Sequence, residues 1–167
     1  DLENDLSALR REAIRVLLQR AGEDPNLAEP AFEVFFEARQ KVNFYEDAIP
    51  ALDFLKSKYP MVALSHGNAD IHKVGLGNYF VAAFNPISLG VGKPDPKMFH
   101  AGAEALGVLP EEVLHIGDDP HLDVLAAQRA GMQSVWVNRE EKKWTHETHP
   151  APFTVVGLKE LCKAWPL

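Results

Sequence analysis

Two stretches near the amino end of the chain carry apolar residues at the spacing of an amphipathic helix. In residues 5–21 the apolar side chains that share one face are Leu6, Leu9, Ala13, Ile14, Leu17 and Ala21. In residues 27–42 the side chains expected to be buried are Ala31, Phe32, Phe35, Phe36 and Val42. Pro30 is compatible with the second helix because it lies in the first turn. The pattern predicts an antiparallel pair of helices, and we interpret the aromatic stripe as a packing surface.

From residue 48 onward, short apolar runs alternate with helical patterns. The predicted strands are residues 61–64, 87–89, 113–116, 134–137 and 154–156. The predicted helices are residues 48–58, 69–75, 96–106, 123–130 and 157–164. Alternating strands and helices are typical of α/β proteins, in which helical crossovers connect parallel strands. The sequence therefore predicts an α/β fold with a parallel sheet, joined to the helical pair by a short connection at residues 43–47.

The composition narrows the class of protein. With 167 residues, the chain is long enough for one hydrophobic core, or for one core and a small additional module. A net charge of −7 opposes an extended contact with nucleic acid, so no nucleic-acid partner is expected. No apolar run approaches the roughly 18 residues of a membrane-spanning helix, and the amino end lacks the apolar core of a signal peptide. We therefore expect a cytoplasmic protein without a membrane partner, in keeping with its single cysteine, Cys162.

The most informative stretch is residues 113–131, in which a predicted strand runs through an acidic turn into a predicted helix. Asp118, Asp119 and Asp123 crowd this turn, and their mutual repulsion is costly unless a cation lies nearby. Carboxylate oxygens favour a hard ion, Mg²⁺ above all. The alternative is that Asp118 or Asp119 caps the helix, with Pro120 in its first turn, but capping leaves the other aspartates unexplained. The stretch favours a metal or phosphate site at the carboxyl end of a strand.

A second polar loop, Ser65-His66-Gly67-Asn68, follows another predicted strand. Gly67 allows backbone N–H groups to approach an anion closely. A helix beginning near residue 69 would point its positive end at the same place. The alternative interpretation is an ordinary helix cap. The loop is therefore a candidate phosphate-binding segment.

A third loop, residues 92–96, holds Lys93 directly before a proline, which keeps the lysine out of the helical conformation. Asp95 and Pro96 have the pattern of a helix cap and first turn. A lysine fixed on a stiff loop is suited to steady a phosphate or to compensate clustered carboxylates. The alternative is a solvated surface lysine. The order of the three loops along the chain favours the first interpretation.

A hydroxyl loop, a lysine loop and an acidic loop in this order resemble the motifs of the haloacid dehalogenase-like hydrolase superfamily, specifically its phosphatases with a helical cap. Ser65 matches the second motif, Lys93 the third, and residues 117–123 the fourth. The resemblance implies a Rossmann-like parallel sheet with helices on both faces plus a small α-helical cap. Residues 1–46 would be an incomplete cap, and residues 47–167 a core that lacks its first strand.

The resemblance also implies chemistry: Mg²⁺-dependent transfer of a phosphoryl group to an aspartate, followed by hydrolysis of the aspartyl-phosphate. Ser65 would hydrogen-bond the phosphoryl oxygens, Lys93 would balance their charge, and Asp118 would hold Mg²⁺ directly. Either Asp119 or Asp123 would complete the outer shell of the metal or orient Lys93. The substrate would be a small phosphorylated metabolite that contacts His66, Gly67 and Asn68. The loop sequences are most similar to phosphatases of riboflavin-pathway or sugar phosphates.

The first motif of the family, an aspartate nucleophile followed two residues later by an aspartate acid/base, has no match in this sequence. In the family it ends a buried strand in the middle of the sheet, between the strands that carry the second and fourth motifs. Asp1 does not fit, because Glu3 stands where the second aspartate should and no apolar strand precedes it. We therefore expect the nucleophile upstream of residue 1, and we expect residues 1–167 alone to be inactive.

Two alternative functions follow from the same residues. The chain could belong to a non-catalytic phosphate-binding or regulatory protein that kept the phosphate cradle and lost the nucleophile. It could also belong to a 2-haloacid dehalogenase, although the doubled aspartate of the acidic loop favours phosphate esters. His66 stands where the family often has asparagine and is either a substrate contact or a neighbour of the phosphate. A zinc pair at His146 and His149 is not favoured, since no third ligand is evident.

Overall fold

The computed structural model describes residues 5–146 and 151–165, so Asp1 and His149 lie outside the described residues. The chain begins with a helical pair, α1 at Leu6–Ala21 and α2 at Ala28–Gln40, joined by a short 3₁₀ turn at Pro25–Leu27. The carboxylate of Asp5 accepts a hydrogen bond from the Ala8 backbone N–H, and α1 ends where Gly22 adopts a left-handed conformation. The predicted helical pair is confirmed.

The two helices pack through Phe32 of α2, which is buried. Within α2, the ring of Phe32 stacks on that of Phe36, with ring centroids 5.7 Å apart. The prediction that Ala31 and Val42 are buried is wrong, since both are exposed. Val42 lies beyond the end of α2, and Ala28 takes the buried position one turn before Phe32. The buried residues of α2, Ala28 and Phe32, therefore lie in its first half.

The remainder of the chain alternates helices and strands. Its helices are α3 at Ala48–Lys56, α4 at Pro86–Leu89, α5 at Pro96–Leu106, α6 at Ala126–Arg129 and α7 at Leu158–Ala164. A π-helical turn, Pro120–Leu125, runs directly into α6. The strands are β1 at Val62–Leu64, β2 at Ala82–Phe84, β3 at Leu114–Gly117, β4 at Gln133–Val137 and β5 at Phe153–Val155. Every paired strand runs parallel to its neighbour, which confirms the α/β class.

Two of the predicted elements are wrong. Residues 69–75 form turns instead of a helix: the Asp70 carboxylate accepts hydrogen bonds from the backbone N–H groups of His72 and Lys73, but Gly75 adopts a left-handed conformation that ends the turn. Residues 87–89 belong to α4 and are not a strand. Asn85 caps that helix reciprocally with Ser88, and the strand lies earlier, at Ala82–Phe84. A side-chain cap is present in both places, and the structure differs in whether the chain continues as a helix after it.

Helices cover both faces of the sheet. On one face, buried Met98, Phe99 and Ala103 of α5 pack with Ala126 and Ala127 of α6. On the other face, Val135, Val155 and Leu161 form a second cluster, against which Leu114 and Ile116 of β3 are packed. Because side chains alternate along a strand, neighbouring residues of β3 and β4 contribute to opposite faces. The expectation of a parallel sheet covered on both sides is confirmed.

The sheet is divided into two parts, one with the order β1-β2 and the other with the order β3-β4-β5. Within the described residues, β1 is paired only with β2 on one side, and β3 only with β4. Between the free edges of β1 and β3 lies a groove of about 770 Å³, which we call the inter-strand groove. Its walls include Val62, Leu64, Leu114 and Ile116, and Lys93 and the acidic turn lie at its end. Within the part of the chain that the structure describes, the strands that carry the second and fourth motifs therefore do not pair with each other.

Candidate active site

The best-defined polar contact in the groove joins the lysine loop to the acidic turn. The Lys93 Nζ atom lies 2.6 Å from Oδ1 of Asp123, and both side chains are nearly buried, with 11% and 5% of their surface exposed. Lys93 comes from the loop before α5, and Asp123 comes from the π-helical turn after β3. This ion pair fixes the two loops against each other, so Lys93 is not a solvated surface lysine.

A third side chain completes this cluster. His115, on β3, places Nε2 at 3.2 Å from the same Asp123 oxygen, and its ring packs edge-on against Phe99 of α5. The second oxygen of Asp123 accepts a hydrogen bond of 3.1 Å from the Asp119 backbone N–H. The sequence placed His115 within the predicted strand 113–116 and did not anticipate its contact with Asp123. The signal in the sequence was limited to the position of a histidine inside a predicted apolar strand.

The electrostatics of Asp123 follow from these contacts. Burial by itself raises the pKa of a carboxyl group, but the hydrogen bond from His115 and the charge and hydrogen bond of Lys93 outweigh it. The pKa of Asp123 therefore lies well below its usual range. Asp123 remains an anion at neutral pH and holds the Lys93 ammonium in place.

The other two aspartates of the acidic turn have different surroundings. Asp119 caps the helical turn, since its Oδ1 accepts hydrogen bonds of 2.8 Å from the backbone N–H groups of His121 and Leu122. Asp118 is exposed, and in the described part of the chain its carboxylate has no hydrogen bond or salt bridge. Its backbone carbonyl is held by the Trp136 indole N–H at 3.0 Å. The capping alternative therefore explains Asp119, and the Asp118 carboxylate stays available to a ligand.

The hydroxyl loop directly follows β1. The Ser65 backbone N–H donates to the carbonyl of Phe84, which extends the β1–β2 ladder by one residue. The Ser65 hydroxyl then accepts a hydrogen bond of 3.1 Å from the Gly67 backbone N–H. The residues that follow form no helix, so a helix dipole does not contribute at this loop. What remains of the predicted anion cradle is the serine hydroxyl and the loop backbone.

His66 connects the hydroxyl loop to the lysine loop. A Cβ atom added to Gly92 would lie only 2.8 Å from Cε1 of His66, so the imidazole is packed over this glycine. His66 is exposed on its other side. The three loops thus converge at the carboxyl ends of β1 and β3, where ligands bind in open parallel sheets. The ring of His146 packs edge-on against Trp144, with ring centroids 4.9 Å apart.

Asn68 links the hydroxyl loop to the helical pair. Its side-chain oxygen accepts a hydrogen bond of 3.0 Å from Nη1 of Arg10, and its amide donates to the Ser7 hydroxyl at 3.1 Å. The Gln40 side chain in turn accepts from the Asp70 backbone N–H at 2.9 Å. These contacts place the amino half of α1 and the carboxyl end of α2 directly over the loop. The sequence predicted Asn68 as a substrate contact and did not anticipate its contact with Arg10.

The fit of a divalent cation depends on the donors that this acidic turn offers. Among residues 5–146 and 151–165, no group of three or more His, Cys, Asp or Glu side chains is arranged to hold a metal ion. Mg²⁺, however, keeps several waters and is held through one or two carboxylates. The exposed carboxylate of Asp118, at the end of β3, is a donor of that kind. The oxygen chemistry of the turn therefore fits Mg²⁺ with Asp118 as a ligand.

No helix in the described ranges is both long enough and apolar enough to cross a lipid bilayer. This observation bears only on the helices of residues 5–146 and 151–165. It agrees with the absence of a long apolar run in the sequence.

Comparison with known proteins gives a consistent picture. The model of the haloacid dehalogenase-like hydrolase family matches residues 2–131. Phosphoserine phosphatase from Thermus thermophilus is 32% identical over 158 residues, which is 91% of this chain and 63% of that protein. The 5-amino-6-(5-phospho-D-ribitylamino)uracil phosphatase of Escherichia coli is 36% identical over 113 residues, which is 68% of this chain and 48% of that protein. The chain therefore spans about half to two thirds of the length of these two curated relatives.

The fold is also found among solved structures. A 2-haloacid dehalogenase from Pseudomonas syringae pv. tomato superposes with a TM-score of 0.87 and 33% sequence identity, over 97% of this chain and 72% of that chain. Phosphatases and a dehalogenase are thus both similar to this chain. With the family model matching most of the sequence and the fold shared over nearly its full length, the chain belongs to the haloacid dehalogenase-like hydrolase family.

Proposed function

We propose that the complete protein hydrolyses a small phosphate monoester with the help of Mg²⁺, through an aspartyl-phosphate intermediate. The nucleophilic aspartate is supplied by a strand that precedes residue 1 and occupies the inter-strand groove. The observation that carries this proposal is the groove itself, which opens between β1 and β3 and ends at Lys93, Asp118 and Asp123.

A strand is the element that suits the groove. Backbone N–H and C=O groups along the facing edges of β1 and β3 need hydrogen-bond partners, and a row of unpaired groups in the middle of a sheet is costly. One extended segment parallel to both strands pairs with both edges at once. Its carboxyl end then lies beside Ser65 and Lys93, where a nucleophile is needed.

Each polar residue of the site has a defined task in this proposal. The Ser65 hydroxyl and the backbone of residues 66–67 bind oxygens of the transferring phosphoryl group. Lys93, held by Asp123, places a positive charge beside the nucleophile and the phosphate, where it stabilises charge that develops in the transition state. Asp119 stabilises the turn, so Asp123 is the aspartate that orients Lys93.

Asp118 is the residue that would hold Mg²⁺ directly. When bound, the ion would neutralise negative charge on the phosphoryl group and on the nucleophile. The Trp136 indole N–H donates a hydrogen bond to the Asp118 backbone carbonyl, which holds the backbone of Asp118 in place.

The domain division belongs to the same proposal. Residues 1–46 act as a helical cap and residues 47–167 as the Rossmann-like core. The Asn68 contacts with Ser7 and Arg10 show that the helical pair reaches the hydroxyl loop. A cap in that position closes over a bound substrate and excludes water from the reacting groups.

The test uses the complete protein and a panel of small phosphate esters, assayed with Mg²⁺ and with a chelator. We expect hydrolysis with Mg²⁺, loss of hydrolysis on chelation, and no hydrolysis by residues 1–167 alone. Turnover by residues 1–167 would overturn the upstream nucleophile. Activity towards a 2-haloacid that survives chelation would establish the dehalogenase alternative, and a complete protein without a nucleophilic aspartate would establish the non-catalytic one.

A further inference from the structure

Two arginines of the helical pair face the hydroxyl loop. Arg10, on α1, places its guanidinium carbon 5.0 Å from the ring centre of Phe35, and Arg39, at the end of α2, places its own 5.9 Å from the same ring. Cations lie favourably over an aromatic ring. The ring of Phe35 is therefore shared by two guanidinium groups, one from each helix.

Arg39 lies close to the proposed phosphate-binding loop. A Cβ atom built on Gly67 would be 3.7 Å from the Ser65 hydroxyl oxygen and 3.9 Å from Nη2 of Arg39. One point beside the loop is thus within 4 Å of both groups. Arg10 approaches the loop from the other helix, through its hydrogen bond to Asn68.

Neither guanidinium group has a carboxylate partner within the described residues, although the protein has an excess of acidic side chains. Arg11, Arg15 and Arg139 are paired with Glu29, Glu12 and Asp47. Arg20 and Arg129, which are exposed, also have no salt bridge within the described residues, so what distinguishes Arg10 and Arg39 is that both lie beside the hydroxyl loop. The carboxylate of Asp70, which is nearby in sequence, is bound to backbone N–H groups of its own turn. Two guanidinium groups that face one loop without a counter-ion attract an anion.

We infer that Arg10 and Arg39 bind a second anionic group of the substrate, so that the preferred substrates are phosphate monoesters whose leaving alcohol carries a carboxylate or a second phosphate. This inference rests on the proposed function. The planar guanidinium fork matches the two oxygens of either anion. Arg10 already uses one N–H on Asn68 and keeps its other donors for the ligand.

The position of the arginines separates this task from binding of the reacting phosphoryl group. That group is bound by Ser65, Lys93 and the loop backbone at the edge of the sheet. Arg10 and Arg39 come from the cap, on the side of the hydroxyl loop that faces α1 and α2. An ester with its second anion on the alcohol spans from one set of groups to the other.

The experiment measures equilibrium binding to the complete protein by calorimetry, with divalent metal chelated so that no ester is turned over. O-phosphoserine is compared with O-phosphoethanolamine, which lacks the carboxylate, and fructose bisphosphate with fructose monophosphate. We expect the ester with the second anion to bind about tenfold or more tightly in at least one pair. A preference in the phosphoserine pair would identify the second anion as a carboxylate, and a preference in the fructose phosphate pair would identify it as a second phosphate.

The variants Arg10→Gln and Arg39→Gln are expected to bring this affinity ratio close to one. Arg39 is exposed, so its substitution leaves the fold intact even if Arg10→Gln disturbs the packing of α1. The matched control is Arg20→Gln, which removes the same charge from the exposed end of α1 and is expected to keep the wild-type ratio.

Equal affinities within both pairs for the wild-type protein would overturn the inference. An Arg39→Gln variant that weakens all four esters by the same factor would also overturn it, because the arginine would then bind the transferring phosphoryl group. A complete protein that shows the ratio but hydrolyses no ester in Mg²⁺ would overturn the proposed function and leave this binding site standing.

Discussion

The Lys93 ammonium group lies 2.6 Å from the Asp123 carboxylate, at the end of a groove between two parallel strands that do not pair with each other. One residue precedes α5 and the other follows β3, so the contact joins distant parts of the chain. Both side chains are nearly buried. If one of the two charges were removed by substitution, the other charge would remain in a poorly solvated position without its partner. The pair therefore matters for stability as well as for the proposed chemistry.

Substitution of Asp123 by asparagine leaves the buried Lys93 without a neutralising charge. We expect the free energy of unfolding of the complete protein to fall by about 3 kcal/mol, the lower end of the range for breaking a buried ion pair. Urea unfolding followed by circular dichroism measures this. Glu140→Gln, which breaks the exposed pair with Lys142, is the control and should have a far smaller effect. A loss below about 1 kcal/mol for Asp123→Asn would contradict the burial of the pair.

Replacement of Ser65 by alanine removes the hydroxyl proposed to bind a phosphoryl oxygen. We expect kcat/KM to fall by about 10² to 10³, as is typical when one such donor is removed. Stability should change little, since the hydroxyl makes one local bond, to the Gly67 N–H. Ser57→Ala, at the exposed end of α3, is the control and should retain wild-type kcat/KM. Unchanged kcat/KM in Ser65→Ala would remove Ser65 from the site.

Gly117 and Gly67 should respond differently to alanine. A Cβ atom at Gly117 would overlap the side chain of Asp123, so that either β3 or the π-helical turn must shift. We expect Gly117→Ala to cost about 1–3 kcal/mol, as overpacking does, and to lower activity by displacing Asp123. The nearest atom to a Cβ at Gly67 is 3.7 Å away, so Gly67→Ala should leave the thermal midpoint nearly unchanged. Equal midpoints for the two variants would argue against the close approach at Gly117.

Asp47 makes part of the stability depend on pH. Its hydrogen bond with Arg139, 2.8 Å long, lowers the pKa of Asp47, and the Lys159 backbone N–H adds to the effect. Because the folded protein binds this proton less readily than the unfolded chain, the contribution is fully present above the unfolded pKa of about 3.9 and is lost as pH falls through the lower folded value. Urea unfolding at several pH values checks this.

Asp47→Asn is expected to be less stable than the wild type at pH 6 by about 1 kcal/mol. The difference should begin to shrink as pH falls below about 4, where the unfolded wild-type chain takes up the proton first, and should be lost once pH is below the lower folded pKa and the folded carboxyl is protonated as well. Glu140→Gln serves as the control, with no comparable trend. A difference that stays constant from neutral to acidic pH would show that Asp47 acts through packing and not through its charge.

Much of the fold could be predicted from local sequence. Apolar periodicity gave the helices α1, α2 and α5 close to their observed ends, because their caps are encoded nearby, as with Asp95 and Gly107 at the two ends of α5. The acidic turn and the lysine loop were recognisable for a similar reason. Carboxylates beside a strand end, and a lysine held before a proline, are chemical features of short stretches.

Residues 69–75 and 87–89 could not be predicted in this way. Their apolar patterns are compatible with helix or strand. A left-handed Gly75 ended the first segment after one turn, and the reciprocal cap of Asn85 and Ser88 made the second a short helix. The burial of Ala31 and Val42 was also mispredicted. Where α2 ends, and the angle at which it packs, depend on the helix that it packs against.

The sequence by itself determined the α/β class, the order of the three loops and the residue types that each presents. Only the tertiary structure decided that Asp123 holds Lys93 while Asp119 caps a turn, and that Arg10 and Arg39 face the hydroxyl loop. The physical reason is that periodicity and capping act between residues a few positions apart, and the chain encodes them locally. Ion pairs and cation contacts between distant segments depend on how helices and strands pack, and packing is a property of the whole chain.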